Sequence, residues 1–213
     1  MKALLIGATG ATGRDLLELL LQDKEITKVD VFVRRALEIK NEKLTVHIID
    51  FDKPEQWKTL VQGDVLFSCL GTTLKAAGSK DAQWKIDYEY QYQFAKIAKE
   101  NNVHSYVLVS AANASATSSI FYTKMKGQLE VDVKALTFSK IIIFNPPLLI
   151  REKTDRKMEV FGAKVIRFFN TLGMLRSQKP LHTKQLAKAM VKSIKVLKDG
   201  EYSIKGQRIL NYV

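Results

Sequence analysis

The sequence is poor in the residues that staple small proteins or cut them into pieces. Of 213 residues, one is cysteine (Cys69) and three are histidine (His47, His104 and His182). A lone cysteine excludes an internal disulfide framework and a cysteine-based zinc cluster. The histidines stand apart without metal-ligand spacing, so no metal site is expected. Prolines number only 4, with Pro146 and Pro147 adjacent, and no Pro/Gly-rich linker, repeat or low-complexity tract divides the chain. No apolar run approaches the ~20 residues of a membrane-spanning helix. The opening MKALLIGATG runs straight into glycines without an apolar h-region or cleavage site, so no signal peptide is read and a cytoplasmic location is expected. No nucleic-acid-binding motif is present, and no nucleic-acid partner is expected.

Acidic residues are scarce only in the second part of the chain. The net charge is +12, yet residues 1–122 carry 15 basic and 15 acidic residues, while residues 123–213 carry 19 and 7. The excess points to an anionic substrate or partner for the C-terminal part, against the plainer reading of a solvated lysine-rich surface.

What the chain does contain is alternation of strand and helix. Apolar runs at Lys2–Ile6, 29–33, 44–49, 64–70, 106–109 and 141–144 suit strands buried on both faces of a parallel sheet. Between them, helical spacing predicts helices over 12–23, about 80–101 and roughly 119–137. The pattern is α/β: one Rossmann-type domain, residues 1–213, with a doubly wound parallel sheet. Residues 151–213 read as a small C-terminal helical cap on the substrate side, with a helix near 183–198 and a final strand near 207–212.

Residues 7–13 read GATGATG, which places Gly7, Gly10 and Gly13 between the first strand and first helix. Glycine at the first position permits the tight turn, at the second a close approach to a pyrophosphate, and at the third close packing of helix on sheet. The amides of the segment Gly7, Ala8, Thr9, Gly10, Ala11, Thr12 and Gly13, with the positive end of the helix, then suit phosphates. NAD sites place an acid about 20 residues further on. Here that place holds Arg34 and Arg35, while Asp30 comes too early in the strand. Guanidinium groups match a 2′-phosphate, so NADP(H) is expected over NAD(H).

On these residues, together with VFVRR (31–35), DFD (50–52), SCLGTT (68–73), VSAANASATSSIFYTKMKGQLE (109–130) and FNPPLL (144–149), the chain resembles the short-chain dehydrogenase/reductase superfamily. It is most similar to the atypical, NmrA-like group, in the branch of Tat-interacting-protein-like oxidoreductases. The resemblance implies that Asp50 and Phe51 lie beside the adenine. It also implies that Leu70, Gly71 and Thr72 line the cofactor and that Asn145 and Pro146 border the nicotinamide. The family pattern at the last place usually reads Arg-Pro-Gly; Asn145 and Pro147 depart from it.

The resemblance further implies a Tyr-x-x-x-Lys element, matched by Tyr122 and Lys126. Four residues on a helix put both side chains on one face. Lys126 can hold the ribose hydroxyls and lower the phenol pKa, and Tyr122 can serve as general acid/base. Ser110, 12 residues before Tyr122, can hydrogen-bond the same substrate oxygen. The same spacing recurs at Tyr92 and Lys96, in a helix that precedes its strand and has no strand-end serine upstream, so that pair reads as helix surface. Cys69 reads as a buried strand cysteine.

Residues 155–175 mix Lys157, Lys164 and Arg167 with large apolar groups and read as a lid over the substrate cleft, or else as a homodimer or protein-partner surface. The function expected is an NADP(H)-dependent oxidoreductase acting on a small, anionic or polar carbonyl or alcohol substrate. The alternative is an NADPH-sensing regulatory or protein-binding module without turnover.

Overall fold

In the computed structural model the described residues are 1–150 and 179–213. The elements are β1 (Lys2–Ile6), α1 (Ala11–Gln22), β2 (Lys28–Val33), β3 (Leu44–Ile48), β4 (Val65–Ser68) and the single turn α2 (Leu74–Ala77). Then come α3 (Lys80–Trp84), a π-helical segment (Lys85–Glu89), α4 (Tyr90–Glu100), β5 (Ser105–Val109), α5 (Phe121–Ala135) and β6 (Lys140–Asn145). A short pair, β7 (Leu149–Ile150) with β8 (Leu181–His182), is followed by α6 (Thr183–Val196) and β9 (Gly200–Lys205).

Among the described residues the main sheet has the order β3-β2-β1-β4-β5-β6-β9, and every pairing in it is parallel. The order reverses between β1 and β4, which opens a crevice at the carboxyl ends of the strands, where this architecture takes its ligands. Strand residues alternate between two cores. Ala3, Leu5, Phe67, Val107 and Phe144 point to the side of α1 and α6. Leu4, Ile6, Leu66, Leu108 and Ile143 point to the side of α4 and α5, where Trp57 and Phe94 stack at 5.1 Å.

Three expectations are corrected. The helix over 80–101 is broken by the π segment, where an extra residue is taken into the helical turn. The strand placed at 207–212 lies instead at Gly200–Lys205, and Gly206–Tyr212 is a 3-10 helix. The strand signal is the alternation at 200–205, where Tyr202 is half-buried and Ile204 buried on one side while Glu201, Ser203 and Lys205 on the other are exposed; an unbroken apolar run is the wrong pattern for this edge strand. The 64–70 strand ends at Ser68, and Cys69 and Leu70 already belong to the loop. Of the segment expected as a cap, residues 181–213 supply α6, packed on α1, and the seventh strand of the sheet. The expected lid at 155–175 lies outside the described residues.

Candidate functional site

The crevice begins at the glycine loop. Gly7 has φ +83°, and a Cβ there would fall 2.4 Å from the carbonyl carbon of Cys69. A Cβ on Gly13 would fall 2.1 Å from the Gly7 oxygen, so the loop closes on itself and against the turn after β4. Gly10 caps α1 without any side-chain hydrogen bond to the helix start. The first amides of α1 thus remain for a ligand, and an anion suits them because they also carry the positive end of the helix dipole. Ala8, Thr12 and Gly13 are buried, while Thr9 is exposed.

Arg34 and Arg35 follow β2 directly, and both are exposed. Among the described residues neither forms an ion pair, whereas Asp30 is buried and bound to Lys2 at 2.9 Å and His47 at 3.1 Å. That acid is committed inside the sheet. Phe51 is buried and stacks on Tyr90 at 5.1 Å, while Asp50 stays exposed beside Lys53 at 3.4 Å. Cys69 has its thiol pushed up to about 12 by burial, which keeps it protonated and inert.

The loop Leu70, Gly71 and Thr72 is anchored by a residue that sequence reasoning passed over. Asp87, inside the π segment, is fully buried and takes the Thr72 amide on Oδ1 at 2.7 Å. Among the described residues its Oδ2 has no hydrogen-bond partner, and it faces Lys126 Nζ at 4.0 Å. Gln91 reaches back to the Asp87 carbonyl at 2.6 Å and accepts from Ser68 Oγ at 2.7 Å. The missed signal was a row of polar residues, Gln83, Asp87 and Gln91, spaced by four beside the aromatic row Trp84, Tyr88 and Tyr92. All three polar residues are buried.

Lys126 itself is buried, one helical turn beyond Tyr122 on α5. Burial and then the nearby Asp87 carboxylate raise the Tyr122 phenol above its ordinary range. The lowering expected from Lys126 is not found: burial and the Asp87 carboxylate both favour the neutral, proton-donating phenol. Burial likewise raises Asp87, against the opposing pull of Lys126, the Thr72 amide and Gln83.

Ser110, just past β5, donates its proton to Glu130 on α5. A hydroxyl has one proton, so Ser110 does not also donate to a substrate oxygen in this arrangement. Asn145, the last residue of β6, donates to the same Glu130 oxygen at 2.6 Å and to the Ala111 carbonyl at 3.0 Å. The Pro146 carbonyl accepts from the Ala112 amide at 3.1 Å. Beside Asn145 lies a small cleft of about 110 Å³ lined by Ala112, Asn113, Ala114, Lys205 and Gly206. Close approach of the 110–120 loop to α5 depends on Gly127, where a Cβ would fall 2.1 Å from the Ser115 carbonyl carbon. The second tyrosine–lysine pair lies apart: Tyr92 stacks on Tyr88 at 6.1 Å, and the exposed Lys96 faces Glu100 at 3.9 Å.

A parallel sheet in this order, a glycine-rich turn onto an uncapped helix and a crevice at the switch of strand order define a Rossmann-type dinucleotide-binding protein. The comparisons agree. The NAD(P)H-binding family pattern matches residues 7–138, and the chain belongs to that family, within the atypical short-chain dehydrogenase/reductases. It is 38% identical over 175 residues to "Protein FMP52, mitochondrial" of Saccharomyces cerevisiae, covering 80% of this chain and 75% of that one. It is 31% identical over 172 residues to "Protein HTATIP2" of Rattus norvegicus, covering 79% and 70%. In fold it is similar to a UDP-glucose 4-epimerase of Thermotoga maritima solved with UDP-glucose, with TM-score 0.75 at 11% identity, over 98% and 77% of the chains. It is also similar to WbmH of Bordetella bronchiseptica in complex with NAD⁺, with TM-score 0.72 at 16% identity, over 96% and 74%.

The cytoplasmic expectation is overturned by these relatives, since the FMP52 proteins of three yeasts are named as mitochondrial. Among the described residues no helix is long and apolar enough to cross a membrane.

Proposed function

We propose that the chain is an NADP(H)-dependent oxidoreductase that reduces a small carbonyl, or oxidises the matching alcohol, with Tyr122 as the general acid/base. The observation that carries this reading is the unbroken run of contacts from the phosphate end of the crevice to the reacting end. Gly7 packs on the turn after β4, the Thr72 amide of that turn binds Asp87, and Asp87 faces Lys126, one helical turn from Tyr122.

The residues fit a dinucleotide. Gly7 and Gly13 let the loop close tightly before α1, and Arg34 and Arg35, without an ion pair among the described residues, offer two exposed guanidinium groups for a 2′-phosphate. Asp50, Phe51, Leu70, Gly71 and Thr72 would flank its adenine and ribose side, and Asn145 and Pro146 its nicotinamide. When bound, the reduced nicotinamide supplies the hydride that the carbonyl carbon takes up. Tyr122, held neutral, gives its proton to the carbonyl oxygen and regains one from solvent. Lys126 holds the ribose hydroxyls and offsets the negative charge left on the phenolate.

The test is NADPH consumption against aldehydes, ketones and quinones. Tyr122→Phe should abolish turnover and leave the NADPH Kd within about twofold, because a positioned acid contributes roughly 10²–10⁴-fold. A Tyr122→Phe protein with wild-type kcat would overturn the assignment.

A further inference from the structure

Ser110 and Asn145 come from different strands, yet their protons converge on one atom. Ser110 Oγ and Asn145 Nδ2 both donate to Glu130 Oε1. Asn145 has no further proton to donate: its second amide hydrogen goes to Ala111 O at 3.0 Å, and its oxygen accepts from Ser203 Oγ at 3.1 Å. Glu130 stands four residues beyond Lys126 and eight beyond Tyr122 on α5. At 1.5 Å per residue it lies roughly 12 Å along the axis from Tyr122, on the same broad face. One carboxylate therefore ties the helix that carries the reacting pair to the ends of β5 and β6.

The tie also sets the direction of the Ser110 hydroxyl. A hydroxyl has one proton and two acceptor lone pairs, and a carboxylate holds a proton donor about twice as strongly as a neutral acceptor does. We infer that Glu130 is a positioning residue that makes Ser110 a hydrogen-bond acceptor, so that the site selects substrates bringing a hydroxyl beside the reacting carbonyl. This deepens the oxidoreductase reading and rests on it. The carbonyl oxygen is left to Tyr122. A hydroxy-ketone or hydroxy-aldehyde satisfies the Ser110 lone pairs, whereas a simple ketone brings them no donor, which is how a hydrogen-bonding pocket rejects an analogue lacking the group.

The experiment compares kcat/KM for hydroxyacetone with that for acetone, and for glycolaldehyde with that for acetaldehyde. Wild-type protein should favour the hydroxylated member by about tenfold or more. The preference should shrink in Glu130→Gln, where a neutral acceptor holds the serine proton less firmly, and further in Glu130→Leu, while the NADPH Kd stays near wild type. Glu130→Gln keeps the shape and an acceptor for Asn145, so it remains informative where Glu130→Leu fails to fold. In a Ser110→Ala background the Glu130 substitutions should leave the remaining selectivity unchanged. A wild-type protein that treats both members alike, or a Glu130→Gln protein with undiminished preference, overturns the inference. A wild-type protein inert toward the entire panel brings down the oxidoreductase reading, and Glu130 is then judged by thermal unfolding alone. Non-additive Tm changes for Ser110→Ala and Glu130→Gln support its hold on Ser110, and additive ones overturn it.

Discussion

A fully buried carboxylate with one oxygen that lacks a hydrogen-bond partner among the described residues carries a legible cost, and Asp87 is such a residue. Burial raises its pKa above the ordinary value of about 3.9, so the folded protein binds this proton more tightly than the unfolded chain does. Stability from the protonated form is complete below about pH 3.9 and is lost as pH rises through the raised folded value. Asp87→Asn removes that titration and leaves any cost at Lys126 as a constant offset. The Tm of wild type should therefore fall relative to Asp87→Asn as pH is raised from about 4 and level off above the folded pKa. A difference that stays flat over that range would show that Asp87 titrates in the fold as it does in the unfolded chain. Tyr122 and Lys126 could be singled out in the sequence through the family resemblance, although their spacing alone recurs at Tyr92 and Lys96. Asp87 and Glu130 could not, since their partners lie 15 residues or more away in sequence and only the fold brings them near.

At the scale of elements, α5 is the piece on which the proposed site is assembled. It presents Tyr122, Lys126 and Glu130 on one face, and its neighbour Gly127 lets the 110–120 loop come within backbone contact. Glycine inside a helix costs about 0.5–1 kcal/mol against alanine, so on propensity alone Gly127→Ala would stabilise α5. The added Cβ would instead lie 2.1 Å from the Ser115 carbonyl carbon, and backbone cannot yield as a side-chain tip can. Gly127→Ala should cost roughly 1–3 kcal/mol in urea unfolding and should weaken turnover through the displaced loop. Wild-type stability in that variant would mean that the loop has room to move away. The strands and α5 were legible because runs and periods mark them. The π segment was not, since a single residue inserted into a helical turn leaves the period on either side nearly intact. The edge strand β9 escaped because only one of its faces is covered.

For the molecule as a whole, the charge of +12 separates into parts with different meanings. Within the charge-balanced first 122 residues, Arg34 and Arg35 are a local exception: two adjacent exposed cations, with the nearest strand acid, Asp30, already bound to Lys2 and His47. Replacing both arginines with alanine should raise the NADPH Kd by about ten- to a hundredfold and leave the NADH Kd nearly unchanged, each charge-assisted contact being worth about 1.5–3 kcal/mol before solvent screening reduces it. Equal losses for the two cofactors would show that the pair does not read the 2′-phosphate. The doubly wound parallel sheet could be anticipated from the alternation of strand and helix, because unbroken apolar strands suit burial on both faces. The place of the C-terminal residues could not: α6 and β9 look like a separate helical piece until β9 is seen paired with β6.

That pairing has a consequence for how the chain matures on the ribosome. The glycine loop and the turn after β4, proposed to cradle the dinucleotide phosphates, are made before residue 80, and Tyr122, Lys126 and Glu130 follow soon after. The hydrogen bond that completes Asn145 comes from Ser203, near the end of β9. A nascent chain that has emerged through β6 thus has its nucleotide cradle before the edge of its sheet is closed. The proposed cofactor could meet the protein during synthesis and help to shelter it until the final strand docks.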